Sequence, residues 1–168
     1  MKKCLALLLA MLLLLQLGGC SMNELMRSDS NKIDEMSEKI IRCLIEKDRE
    51  TLGNLFCERV KKTAEFDAQM NALFAFCDYA HCIRYDLGGD HAQSEASEFG
   101  VRTEWSVDAE IIYIEVSDEK GTLFYGVEYQ WTPIYEANAE LVGLHALTVH
   151  LLNTDNSVTL GSEKDFPF

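Results

Sequence analysis

The chain has 168 residues, with 15 Lys and Arg against 28 Asp and Glu, 48% apolar residues, 10 Gly and 2 Pro. That is one domain's worth of folded protein and no long disordered tail. A net charge of −13 argues against a sequence-independent grip on nucleic acid, which needs clustered Lys and Arg on the phosphates.

Residues 1–19 read as a leader. Lys2 and Lys3 form a positive start, Leu5 to Leu15 is an unbroken apolar run, and Leu17-Gly18-Gly19-Cys20 follows at once. Eleven apolar residues are too few to cross a bilayer, which takes about 20. Small residues followed directly by a Cys resemble the lipobox of bacterial lipoproteins, in which that thiol receives a diacylglycerol before cleavage. The resemblance implies a lipidated Cys20 and a mature chain held to the outer face of the cell membrane through acyl chains. Residues 20–31 then form a short polar tether, and 32–168 a single domain.

After Asn31 as N-cap, Ile33, Met36, Ile40, Ile41 and Leu44 recur at helical spacing to about Lys47. Asp48 caps a second helix with the stripe Leu52, Leu55, Phe56 and Val60, ending in Arg59, Lys61 and Lys62. The short connection predicts an antiparallel helical hairpin. A third stripe is Phe66, Met70, Leu73, Phe74 and Cys77. The period then changes to two, predicting strands at Cys82–Leu87, Phe99–Val107, Ala109–Val116, Thr122–Thr132 and Val142–Leu152, with a short edge strand at Val158–Leu160. Gly88-Gly89 opens a loop through Glu98, Asp118-Glu119-Lys120-Gly121 makes a hairpin turn, and Pro133 ends a strand.

Helices first and antiparallel strands after define an α+β fold, with N-terminal helices packed on one face of the sheet. Neither a dinucleotide fingerprint nor a P-loop is present, so no nucleotide cofactor is expected.

A lipobox, a helical hairpin, a third helix and a meander ending in Val142-Gly143-Leu144-His145-Ala146-Leu147-Thr148-Val149 resemble the small bacterial lipoproteins of domain of unknown function 5104. Local echoes are Glu46-Lys47-Asp48, Leu55-Phe56 and Phe66-Asp67-Ala68-Gln69-Met70. That family is similar to the nuclear transport factor 2-like (cystatin-like) fold, which implies a curved antiparallel sheet wrapped against helices over Lys32 to about Leu152. It brings no established catalytic residues. The turn Asp78-Tyr79-Ala80-His81 departs from the Gly expected there and implies a rebuilt helix-to-strand connection.

Four cysteines remain in the domain. Cys43 and Cys57 fit helical stripes as small buried hydrophobes, while Cys77 and Cys82 flank a four-residue gap that suits a local disulfide better than a zinc knuckle. Sequence leaves the pairing open. No metal is expected at Asp86, Asp90, Glu95 and Glu98 either, since their spacing lacks a calcium-loop pattern. Alternation in 122–132 turns Leu123, Tyr125, Val127, Tyr129 and Trp131 inward, and puts Ile83, Tyr85 and Leu87 inside with Arg84 and Asp86 outside. His145 falls on the side of Leu147, Val149 and Leu151. Glu115 is the strand carboxylate that shares parity with Ile111 and Tyr113.

His145, Tyr85, Tyr129 and Glu115 are therefore the residues from which an isomerase- or hydrolase-like enzyme would draw its acid and base. Tyrosines and one His on an apolar face more often serve as core, and the leading expectation is a non-catalytic binding or accessory module for a small ligand or protein partner. A structural envelope lipoprotein is a third reading. Residues 31–62 carry 8 basic and 7 acidic residues, whereas 63–168 carry 4 and 19. The helical hairpin is thus the part expected to face an anionic membrane.

Overall fold

The computed structural model describes residues 28–77, 82–118 and 121–162. The leader, Cys20, the turn at 78–81 and the side chain of Cys82, with its expected pairing, lie outside the described residues. Two compact units divide the chain, Met1–Met36 and Ser37–Phe168. In the first, residues 28–36 are helical and Lys32 approaches Asp29 at 4.0 Å. Everything below concerns the second unit.

Helix α1 of this unit covers 37–46. Asn31, in the first unit, is a helical residue and not the expected N-cap. No Gly or Pro falls between Ser28 and Glu46, and a polar Asn in a helix costs little once the turn continues. Ile40, Ile41, Cys43 and Leu44 are buried. Burial pushes the Cys43 thiol up, and the nearby Asp48 and Glu46 charges add to it, so it stays protonated.

The second predicted helix is two: α2, Arg49–Leu55, and α3, Glu58–Lys61. Asp48 caps α2 as expected, its carboxylate accepting from the Thr51 N–H at 3.0 Å. That hydrogen bond holds the Asp48 carboxyl below its usual range. The helix breaks because Phe56 turns extended (φ −75°, ψ 146°) and pairs in parallel with Leu144, while the Cys57 N–H donates to the Leu144 carbonyl at 3.0 Å. A sheet carbonyl has displaced the helical one. Helix α4, Phe66–Phe76, follows its stripe closely, with Met70, Leu73 and Cys77 buried. Phe56 meets Phe66 edge-on at 5.4 Å.

The strands are β1 Cys82–Asp86, β2 His91–Glu98, β3 Val101–Asp118, β4 Gly121–Tyr135, β5 Gly143–Leu151 and β6 Ser157–Gly161. They form one open antiparallel sheet in the order β1-β3-β4-β5-β6, with β2 also on β3. Four differences from the periodicity have physical causes. The expected loop at 90–98 is a strand, all exposed, because β2 follows β1 along the same edge of β3 and gains its stability from the ladder, not from a buried face. Gly89 permits that passage, since a Cβ there would collide with the Glu110 carbonyl.

The two strands expected at Phe99–Val107 and Ala109–Val116 are one, β3, whose pairing with β4 shifts between Trp105 and Val107 and again between Ile111 and Ile114. Such bulges bend a strand without ending it. Pro133 lies inside β4, one residue beyond Thr132, the last to pair with β5, and within the first of these shifts. Its missing N–H is therefore not needed by the ladder. Finally, Leu123 and Tyr85 are 47% and 41% exposed instead of inward. Both still share a face with buried partners, Val116 and Ile114, and are exposed because they stand at the start of β4 and on the edge strand β1, beyond the cover of the core.

The core of the sheet is Val107, Ile111, Ile114, Val127, Leu147 and Val149. Two contacts fasten helices to it. Gln69 on α4 accepts from the Gly161 N–H at 3.0 Å, and Ser37 on α1 shares a 2.8 Å hydrogen bond with the Tyr129 hydroxyl. Tyr129→Phe removes the second and should lower the unfolding free energy by about 0.5–1.5 kcal/mol, read from the urea midpoint at unchanged slope.

Candidate functional site

The four sequence candidates fall into two separate places. His145 is the extra residue of a bulge in β5, for Gln130 pairs with Ala146 while Trp131 pairs with Leu144. It is 0% exposed. Its Nε2 lies 2.8 Å from the Leu141 carbonyl and its Nδ1 3.9 Å from Cys57 Sγ. A carbonyl can only accept, so Nε2 carries the proton and Nδ1 is the acceptor for the thiol. Both ring nitrogens are used. Tyr129, also buried, spends its hydroxyl on Ser37.

Glu115 and Tyr85 sit toward the far end of β3. Arg84 pairs with Glu115 in register, and its Nε donates to the Glu115 carboxylate. That contact raises the Arg84 pKa further above its ordinary value. The guanidinium also stands 5.7 Å over the Tyr113 ring. Tyr85 pairs with Ile114. Since Tyr129 pairs with Ala109, six residues along β3 separate it from Glu115, about 20 Å at strand rise. Tyr85 follows Arg84 and so projects from the face opposite Glu115, and His145 and Tyr129 lie apart from both.

A site the alternation missed lies on the other face of the sheet. His150 on β5 pairs with Gly126 on β4. A Cβ at Gly126 would occupy the imidazole's place, so the ring lies flat across the neighbouring strand. Its Nδ1 is 4.0 Å from Glu128 Oε1. Together with Thr148, Asp155, Asn156 and Ser157 they line an open cleft of about 320 Å³. The signal was available as Gly126 interrupting an otherwise bulky strand, which marks close approach. A second open cleft, about 540 Å³, lies beside the β2–β3 turn and carries Glu98, Glu104 and Glu136. A third, about 230 Å³, lies between Val60, Gln69 and Gly161.

Among the described residues no group of three or more His, Cys, Asp or Glu is arranged to hold a metal. No described helix is long and apolar enough to cross a membrane.

Helices on an open antiparallel sheet define an α+β domain. The chain belongs to the family described as Domain of unknown function (DUF5104), whose model matches residues 39–155. No match is found among curated proteins.

Proposed function

We propose that this protein is a lipid-anchored, non-catalytic binding or accessory module that acts outside the cytoplasm, tethered by acyl chains on Cys20, with a domain of nuclear transport factor 2-like (cystatin-like) type. The observation that carries the non-catalytic reading is the placement of His145: fully buried and engaged at both ring nitrogens, it offers no base to a substrate. Glu115 is likewise committed to Arg84. The ligand surface we assign is the cleft where His150 and Glu128 meet, which is open, polar and of small-molecule size. An acidic chain of net charge −13 makes nucleic acid an unsuitable ligand.

The anchor is supported by Leu17-Gly18-Gly19-Cys20 after a short apolar run. Cells fed a labelled fatty acid should acylate the full chain and not Cys20→Ala; labelling of that variant would overturn the lipobox. Native mass spectrometry of the chain extracted from membranes in detergent tests the binding role. A retained small molecule or protein that is lost in His150→Ala supports it, and retention unaffected by that change moves the ligand elsewhere.

A further inference from the structure

Among the described residues three side-chain oxygens are buried without a hydrogen-bond partner, and all three are neighbours: Ser106 Oγ on β3, and Gln130 Oε1 and Thr132 Oγ1 on β4. Ser106 is 2% exposed and Thr132 0%. Native interiors leave few such atoms, and a cluster of them marks a missing partner. The register puts them together. Trp105 pairs with Ile134 and Val107 with Trp131, so Ser106 on β3 faces Thr132 and Pro133 on β4. Asp108 pairs with Gln130 next along. By alternation Ser106, Gln130 and Thr132 project from the same side of the sheet.

The extra residue in β4 bows it away from β3, and Pro133 brings no N–H into the gap. Strands about 4.8 Å apart leave a span across the pair that one molecule bonding at about 2.8 Å on each side can bridge. The chemistry of the three atoms selects the guest. Two hydroxyls can donate or accept, but the amide oxygen only accepts. The guest must donate at least one hydrogen bond and be able to accept others. An anion would face Oε1 with no proton to offer, and a bare cation would leave the hydroxyl protons unplaced. We propose that this bulge holds a buried water molecule, bonded to Ser106, Gln130 and Thr132 as an integral part of the β3–β4 pairing.

The test is a crystal structure of the full chain in detergent, together with melting temperatures of Thr132→Val and Ser106→Ala. The expected result is a solvent peak within about 3.2 Å of the three oxygens, and a Thr132→Val melting temperature lower by about 2–6 °C, because the water and the remaining oxygens lose a partner. An empty bulge, with Thr132→Val melting at or above the wild type, would overturn the proposal, since a methyl then replaces a hydroxyl that had nothing to bond. So would an anomalous peak at the site after soaking in rubidium, which would make the guest a cation. Should Thr132→Val fail to fold, the wild-type density decides by itself.

Discussion

His145→Ala should cost this domain about 2–5 kcal/mol of unfolding free energy, enough to remove much of the margin of a protein its size. Two effects add. Truncating a ring that is fully enclosed leaves a cavity among Cys57, Leu141 and Leu144 that the sheet, pinned at both sides of the β5 bulge, closes only in part. The loss also removes the ring's hydrogen bonds to the Leu141 carbonyl and the Cys57 thiol. Chemical denaturation of the variant and the parent reads the difference directly. A His kept for chemistry would show the opposite pattern, since its removal from a solvent-filled pocket relieves strain and leaves stability unchanged or raised. An unchanged midpoint would therefore return His145 to the list of reactive groups.

Gly143→Ala is expected to be comparably harmful, at about 2–4 kcal/mol. Gly143 has φ +133°, a region in which a side chain is strained. A Cβ there would also meet the Cys57 nitrogen at 2.6 Å and the Leu55 carbonyl at 2.9 Å. Those are backbone atoms of the segment between α2 and α3, which cannot rotate aside. Relief would require Phe56 to release Leu144, so the loss should appear first as exposure of that junction. Hydrogen exchange at the Cys57 amide should accelerate well beyond that of amides in the middle of β4. Uniform acceleration across the domain would instead mean that the junction opens only when everything does.

The sequence makes some of this structure readable and hides the rest for identifiable reasons. Helix α4 is legible because each of its buried residues is spaced for one face and nothing competes for its backbone. The second helix is not, because Phe56 satisfies the helical stripe perfectly well; what breaks the helix is the Leu144 carbonyl, 88 residues away in the chain. Strand β2 is illegible because His91–Glu98 buries no face, and periodicity reports burial, not backbone pairing. The β3 bulge does further damage, as its extra residue reverses parity beyond it: Ile111, Ile114 and Val116 are all buried, so Glu115 falls on the opposite face from Ile111. At the site, sequence isolates His145 as unusual but cannot separate a core imidazole from a reactive one, since the distinction rests on Cys57 and on Leu141. It passes over His150 altogether, because the clue sits on the other strand, in the absent side chain at Gly126.

That pair has a consequence for how the protein can change over time. The imidazole of His150 fills the space in which a side chain at position 126 would stand. Neither position is then free to vary alone: a larger residue at 126 is blocked while the ring is present, and a smaller one at 150 leaves a hole beside a glycine strand. Sequences that diverge from this one should exchange the two together, a bulkier residue at 126 accompanying a smaller one at 150, and a chain carrying only half of the exchange should be met rarely and fold poorly.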